Sequence, residues 1–295
     1  MHKRNILVVT GGAGFVGSNL IEYLLKKTNY RIISLDDYST GNGKNHISSK
    51  VKYIFGNTQD IATHLKRYKN KIHSIFHFGE FARIHQSFEQ FDECFASNSI
   101  GSKAVFKFCL DNNIKLIYSA TSAALGNNGD DSNLSPYAFM KANNLRLLEN
   151  LKKWYGFNFE VVYFYNVYGP RQIKTGPMAT VIGIFENAYE KQLPITVVKP
   201  GTQTRRFTHI NDTVDVCYRA WRNNKSKHYI ISNKESFSIL EVATMFGNKI
   251  KYLPQRRGER NQSAIAKTNL NNNIDCYFGK TSLIDYINNF KNKHK

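Results

Sequence analysis

The chain has 295 residues, 41% of them hydrophobic, and a formal net charge of +19. Length and apolar fraction allow a large core in one domain or two closely joined ones, whereas no apolar run reaches the roughly 18 residues that cross a bilayer and MHKRN leads straight into a strand, so a membrane-spanning or secreted class is set aside and a cytoplasmic protein is expected. The charge admits a nucleic-acid binder, but Lys and Asn are spread over the whole chain without a basic stripe interleaved with aromatics, which reads as compositional drift with some positive field left to attract an anionic substrate.

Ile6 to Val9 is a short apolar, partly β-branched run, the pattern of a buried parallel strand. Gly11-Gly12-Ala13-Gly14-Phe15-Val16-Gly17 follows, and Asn19 to Leu25 carries apolar residues at helical spacing. A strand entering a glycine turn that opens a helix is a diphosphate-binding device. The glycines permit a tight turn and close backbone approach, and the helix N-terminus offers free N–H groups at a positive dipole end. Gly11, Gly14, Phe15, Val16 and Gly17 are therefore assigned to a cofactor. The second strand, RIISLDD, ends in Asp36-Asp37. Asp36 lies about 20 residues past the turn, where a carboxylate accepts hydrogen bonds from the adenosine ribose of NAD and repels the 2′-phosphate of NADP. The expected cofactor is NAD; the plainer alternative makes both acids loop starters.

Val51 to Thr58 reads as a third strand, placing Asn57 and Thr58 at its end, and Lys71 to Gly79 as a fourth, with Phe78 near its end. Ile61 to Tyr68 between them is helical and polar. Glu89 to Asn112 is a long helical stretch containing Asn98, Ile114 to Ser119 the next strand, Leu145 to Tyr155 the body of a helix, and Phe159 to Tyr165 a further strand. Strands alternating with helices imply an α/β fold, a Rossmann-type doubly wound parallel sheet with helices on both faces. All six prolines fall after Leu134. That shift separates a nucleotide-binding part, residues 1–165, from a smaller and mainly substrate-binding part, residues 166–295, partly interleaved with the first. Lys291 to Lys295 forms a basic, frayed tail. Cys94, Cys109, Cys217 and Cys276 are scattered, with no CxxC pair, which reads as reduced thiols and not a metal site or a disulfide frame.

Two local patterns carry chemistry. Ser135-Pro136-Tyr137-Ala138-Phe139-Met140-Lys141 contains Tyr-x-x-x-Lys, which on a helix places Lys141 one turn from Tyr137 on the same face. A tyrosine near pKa 10 is a poor base at neutral pH, and an adjacent ammonium with the positive nicotinamide ring of NAD⁺ favours its phenolate. Ser119-Ala120-Thr121-Ser122 closes the strand before it, at the sheet edge where such folds bind ligands. Thr121 or Ser122 is placed to hydrogen-bond the substrate oxygen whose proton Tyr137 takes; the alternative is that these hydroxyls only cap the turn.

With these residues in place the chain resembles the extended short-chain dehydrogenase/reductase family, in particular its UDP-glucose 4-epimerase-like nucleotide-sugar epimerases and dehydratases. TGGAGFVGSNL, the hydroxyl–Tyr–Lys set, YNVYGPR (Tyr165 to Arg171), GTQTRRFTHINDTVD (Gly201 to Asp215) and PQRRGE (Pro254 to Glu259) occur in the family's order over nearly the whole length. The resemblance implies Thr121 as the catalytic hydroxyl, Tyr137 as acid/base and Lys141 as its electrostatic partner and ribose ligand. It adds Asn57, Thr58, Phe78 and Asn98 to the cofactor's surroundings. It gives the sugar Thr121, Ser122 and Tyr137, and the substrate's diphosphate Asn166, Arg205 and Arg256, arginine being suited by its planar fork of donors. No metal is implied.

The chain departs from the family pattern in several places. Asn57 stands where an aspartate contacts adenine, Arg206 and Lys267 replace acids, Leu125 replaces a tyrosine, and the segment Gly126 to Tyr137 is short, which leaves sugar identity more open than reaction type. The implied reaction is 4-epimerisation. Tyr137, assisted by Thr121, removes the C4 hydroxyl proton while the hydride passes to NAD⁺, and the 4-keto sugar turns and takes the hydride back on its other face. A 4-dehydrogenase that releases the keto sugar keeps the same residues. Elimination of water is disfavoured, since Thr121 is followed by Ser122-Ala123 where dehydratases of this family carry Asp-Glu. A rival of another class is a non-catalytic nucleic-acid binder on this fold, supported by the net charge alone. Ser263, four residues beyond Glu259, falls beside the sugar's C2 substituent in the resembling epimerases; a small residue there admits an N-acetyl group, so UDP-hexoses and UDP-N-acetylhexosamines are the expected substrates, with GDP-sugars an alternative. A homodimer is expected through Glu89 to Asn112 and Ala138 to Tyr155, with Phe91, Phe95, Val105, Phe106 and Cys109 as apolar surface.

Overall fold

The computed structural model describes residues 4–125, 131–258 and 273–294. Six strands come first, β1 (Ile6–Thr10), β2 (Arg31–Asp36), β3 (Val51–Phe55), β4 (Ile72–His77), β5 (Lys115–Thr121) and β6 (Phe159–Phe164). Between them lie α1 (Phe15–Lys27), α2 (Ile61–Leu65), α3 (Gln86–Glu89), α4 (Phe91–Phe95), α5 (Ser102–Asp111) and α6 (Pro136–Tyr155). The rest supplies β7 (Val167–Tyr168), α7 (Val181–Glu190), β8 (Ile195–Val198), β9 (Thr204–Arg205), β10 (Thr208–His209), α8 (Ile210–Asn223), β11 (His228–Ser232), β12 (Phe237–Ser238), α9 (Ile239–Phe246), β13 (Ile250–Leu253), β14 (Ile274–Phe278) and α10 (Leu283–Lys293).

Eight strands form one parallel sheet in the order β14-β11-β6-β5-β4-β1-β2-β3. Its inner strands are largely apolar on both faces because each face is covered by helices. Ile6 and Val8 of β1, Leu116 and Tyr118 of β5 and Val161 and Tyr163 of β6 point to a core shared with α2, α5 and α6. Their neighbours Leu7, Val9, Ile117 and Val162 point to the opposite core, with Leu20, Ile21 and Leu24 of α1 and Ile210, Val214 and Cys217 of α8. A separate core joins α7, α9, α10 and β8 through Phe185, Val197, Phe246 and Ile287. This third cluster belongs wholly to the later half of the chain, although β11 and β14 from that half complete the main sheet.

Three expectations are corrected. The third strand ends at Phe55, and Asn57 instead begins a 3₁₀ turn, Thr58–Asp60. The stretch from Glu89 to Asn112 is not a uniform helix, since Ala96–Gly101 forms a π-helical turn between α4 and α5. Of the apolar residues expected to face a second subunit, Val105, Phe106 and Cys109 are buried against their own sheet, whereas Phe91 and Phe95 remain 49% and 44% exposed with their rings stacked. Ile100 and Phe139 are similarly exposed, at 48% and 49%. Among the described residues no helix is long and apolar enough to cross a membrane.

Candidate active site

Neighbouring β1 and β4 run on to opposite sides of the sheet, β1 to β2 and β3, β4 to β5 and β6. The carboxyl ends of two such strands frame the crevice where open α/β sheets take their ligands. The first turn of that crevice is closed by backbone. Gly11 has φ +70°, and a Cβ there would lie 2.8 Å from Gly79 N; one on Gly17 would lie 2.1 Å from Gly11 O. Helix α1 opens at Phe15 behind Gly14, which caps it with no side chain, and its first turn holds no acidic residue. Phe15 and Val16 lean on the core from that turn. A cradle without side chains under a bare helix N-terminus suits a diphosphate.

Around this turn the other expected cofactor residues take definite places. Asp36 is buried, its Oδ2 accepting from Ala13 N at 2.8 Å and its Oδ1 from Tyr38 N at 2.8 Å. Burial pushes its carboxyl up, and the backbone donors of Tyr38, Ala13 and Gly14 oppose that. Asp36 thus ties the glycine turn to the loop after β2. Asp37 is exposed and caps its own turn, accepting from Ser39 N and Oγ at 2.9 and 2.7 Å. Asn57 is exposed. Thr58 abuts the π-helical turn, its Oγ1 being 2.3 Å from where a Cβ on Gly101 would sit. Phe78 N donates to Thr10 Oγ1 at 3.1 Å, and its ring meets Phe164 edge-on. Asn98 is fully buried and clamps Phe81, accepting from its N at 2.7 Å and donating to its O at 2.9 Å.

Helix α6 begins cleanly, with Ser135 Oγ accepting from Ala138 N and Pro136 in the first turn. It packs against the end of β5 and the turn that follows, which brings Thr121, Ser122, Tyr137 and Lys141 to one edge. Tyr137 is 8% exposed and packs with Phe81, Ile84, Cys94 and Met140. Thr121 Oγ1 accepts from Ala123 N at 3.2 Å, so the hydroxyl does cap its turn, and its own proton is left to donate. Ser122 is buried beside it.

Lys141 is where the site departs most from the sequence reading. Its ammonium donates to Ser119 O at 2.5 Å and forms a close ion pair with Glu80 Oε2. The Glu80 and Lys141 side chains are only 2% and 5% exposed. Glu80 Oε1 in turn accepts from Ser102 Oγ at 2.8 Å, Tyr118 OH at 3.0 Å and Asn144 Nδ2 at 3.4 Å. Behind Ser102 stands His77, whose Nε2 is 3.1 Å from Ser102 Oγ and whose Nδ1 is 2.8 Å from Thr10 Oγ1. Since Ser102 donates to the carboxylate, the consistent assignment puts the imidazole proton on Nε2. Complete burial lowers the His77 pKa to about 4, with Glu80 opposing the shift, so the ring is neutral at physiological pH. Burial and the Glu80 carboxylate hold Tyr118 well above its ordinary value, as a phenol that donates.

Neither Glu80 nor Arg83 was singled out by the sequence reading. Both lie on the loop after β4, which has no periodicity to mark them; the only local signal is two charges immediately after an apolar strand. The Arg83 guanidinium reaches across the cleft to Met178 O, with Nε 3.0 Å away, and Nη1 donates to Ala82 O at 2.8 Å. Burial lowers its pKa, and Tyr137 opposes that shift.

The expected diphosphate residues are partly assembled. Asn166 has φ +41°, its Nδ2 donates to Arg206 O at 3.3 Å, and its carbonyl accepts from Thr208 N at 3.4 Å. That puts it against the stretch carrying Arg205, which lies in β9. Arg206 is held by Asn233 O and Lys234 O. Arg256 is exposed on the segment after β13. That segment returns to the cleft, because a Cβ on Gly258 would lie 2.9 Å from Ile84 and 3.0 Å from Phe88. Glu259, Lys267 and Ser263 lie outside the described residues. Among the described residues no group of three or more His, Cys, Asp or Glu side chains could hold a metal ion.

A chain with a bare glycine cradle at the sheet's switch point, and a Tyr–Lys helix beside it, is a dinucleotide-dependent enzyme of the Rossmann type. Residues 7–232 match the NAD dependent epimerase/dehydratase family, and the chain belongs to that family. It is an NAD-dependent enzyme of the epimerase/dehydratase type. A putative UDP-glucose 4-epimerase from Methanocaldococcus jannaschii is 27% identical over 270 residues, which cover 86% of this chain and 87% of the relative. Thermus thermophilus UDP-glucose 4-epimerase, solved in complex with NAD, superposes with a TM-score of 0.79 at 24% identity, covering 88% of this chain and 90% of that one. The UDP-N-acetylglucosamine 4-epimerase of Methanobrevibacter ruminantium M1, solved with UDP-N-acetylmuramic acid, superposes with a TM-score of 0.84 at 24% identity, covering 99% and 97%. At those identities the two structures speak for the fold.

Proposed function

We propose that the chain is a nucleotide-sugar 4-epimerase acting through a 4-keto intermediate on a UDP-hexose or a UDP-N-acetylhexosamine. The observation that supports this reading is that Lys141, one helical turn from Tyr137 on α6, donates to Ser119 O, two residues before Thr121 at the carboxyl end of β5. NAD, when bound, supplies reversible hydride acceptance, and the cradle of Gly11, Gly14 and Gly17 with Asp36 would hold it. Tyr137 moves the proton at the sugar O4, and Thr121 donates to that same oxygen and orients it. Lys141 stabilises the phenolate from one helical turn away. Asn166, Arg205 and Arg256 anchor the diphosphate while the sugar turns. Packed walls around Tyr137, from Phe81, Ile84 and Met140, keep water from the exchange.

Elimination is disfavoured because Ser122 and Ala123, which follow Thr121, carry no carboxyl group. The enzyme would work as a homodimer through the exposed Phe91, Phe95, Ile100 and Phe139. The test is incubation with a panel of UDP-, GDP-, ADP- and TDP-sugars, followed by product identification. A C4 epimer without accumulating NADH is the expected product. A released 4-keto sugar with stoichiometric NADH would replace the epimerase by a dehydrogenase.

A further inference from the structure

Lys141 does not face the site with an uncompensated charge. It is closed into a pair with Glu80, and that pair is built and not incidental. Three side chains from three elements, Ser102 on α5, Tyr118 on β5 and Asn144 on α6, all donate to the carboxylate oxygen that Lys141 leaves. Asn98, through its clamp on Phe81, fixes the loop on which Glu80 sits. The Lys141 ammonium in turn lies 4.7 Å from the centroid of the Tyr118 ring.

The charges that reach this pair can be enumerated. His77 from β4 is neutral, for the burial already given. Tyr118 is held protonated by burial and by Glu80. Cys94 from α4 is pushed up to about 12 by burial, with Glu80 adding to the shift, and is a neutral thiol. Arg83, from the loop, is lowered by burial with Tyr137 opposing the shift, and as a guanidinium keeps its charge. Glu80 is thus the carboxylate in direct contact with the lysine that the mechanism invokes.

We propose that Glu80 is a positioning residue that fixes the Lys141 ammonium and partly neutralises it, and so sets the pH range in which Tyr137 exchanges a proton. An ammonium without a counter-charge would pull the phenol toward phenolate more strongly. The carboxylate beside it tempers that pull, keeping Tyr137 protonated over part of the range in which it must return a proton to the sugar. The proposal rests on the reading of Tyr137 and Lys141 as the proton-transfer pair but on no particular sugar.

The test is a spectroscopic titration of the NAD-loaded protein without substrate, following phenolate absorbance in the ultraviolet, with the Tyr137→Phe protein subtracted to isolate one residue. Glu80→Gln keeps the size of the side chain and an oxygen for Ser102 and Tyr118 but removes the charge. It is expected to move the Tyr137 titration down by about 1 pH unit. Glu80→Asp keeps the charge and withdraws it by one methylene, so it gives a smaller displacement of the same sign, and it serves alone if the glutamine protein does not fold. With an active substrate, the acid limb of kcat/KM follows the same order. A purely structural Glu80 would lower stability and leave the titration in place. Coincident Tyr137 titrations in the native protein and in a folded Glu80 variant would overturn the proposal. Because no sugar enters the titration, failure of the epimerase reading and failure of this one are separable.

Discussion

Two buried lysine–glutamate pairs stand at opposite edges of the same sheet. At the amino edge, Lys115 opens β5 and pairs with Glu160 of β6 at 3.2 Å, their side chains 6% and 0% exposed. Apart from the Tyr229 hydroxyl, which hydrogen-bonds Glu160, the other partners of that pair are main chain. Glu160 accepts from the backbone N of Lys225, Ser226 and Lys227, at 2.7, 3.1 and 2.8 Å, and Lys115 donates to Trp221 O at 2.8 Å. At the carboxyl edge, Glu80 is held mainly by side chains and Lys141 stands one helical turn from Tyr137. The first pair pins the chain reversal after α8 to the sheet; the second holds a charge beside reacting atoms. Equal burial and equal chemistry therefore do not imply equal role, and the identity of the remaining hydrogen-bond partners separates the two.

The contrast is broken most severely at the reacting group itself. Tyr137→Phe keeps the ring that packs on Phe81, Ile84 and Met140 and removes only the acid/base. Turnover on the active nucleotide sugar should fall at least about 100-fold, with thermal unfolding and NAD binding near native. A rate close to native would remove Tyr137 from the mechanism. Next comes the amino-edge pair. Lys115→Met leaves Glu160 buried without its counter-ion and should cost about 3 kcal/mol, read as a lowered urea midpoint. The Tyr137 titration in that protein should stay where it is, and if it moved, the division of roles between the two edges would fail.

The third expectation concerns His77, buried between Thr10 and Ser102. Its folded-state pKa, about 4, lies below the 6.5 of a free imidazole. A depressed value means the unfolded chain binds the proton first, so the stability His77 contributes is full above pH ~6.5 and is lost as pH falls toward ~4, by up to roughly 3 kcal/mol. The slope of unfolding free energy against pH in that window should be shallower in His77→Gln. Smallest in its effect on catalysis is the exposed aromatic face. Replacing Phe91 and Phe95 together by Glu should convert a dimer to a monomer in light scattering and leave turnover per subunit close to native. A native protein that is already monomeric at micromolar concentration would refute the dimer.

How far this molecule could be read from its sequence follows the same division. The glycine turn, Asp36 and Tyr137-x-x-x-Lys141 are legible because each function is written in a local spacing, the turn between a strand and a helix or one turn along a helix. Glu80 is not, because its meaning comes from Ser102, Tyr118, Lys141 and Asn144, which converge on it from 22, 38, 61 and 64 residues away in sequence. Val105, Phe106 and Cys109 were assigned to an interface for a related reason. The stretch from Phe91 to Leu110 carries apolar residues on more than one face, and sequence alone does not say which of them meets the sheet. The early end of β3 at Phe55 is a smaller miss, since the strand's hydrogen bonding stops where its neighbour β2 ends at Asp36.

The order of the strands also bears on how the protein is made. The cofactor crevice draws on β1, α1, β2, β3 and β4, all before residue 78, whereas β6 obtains its outer neighbour only when β11, His228–Ser232, has been synthesised. At roughly 10 residues per second, β6 spends several seconds as a bare edge, buried-type on both faces and rich in Phe, Val and Tyr. A chain that stops anywhere between residues 165 and 227 keeps that edge open permanently. Such truncated products should aggregate through β6, even though the crevice they carry is complete.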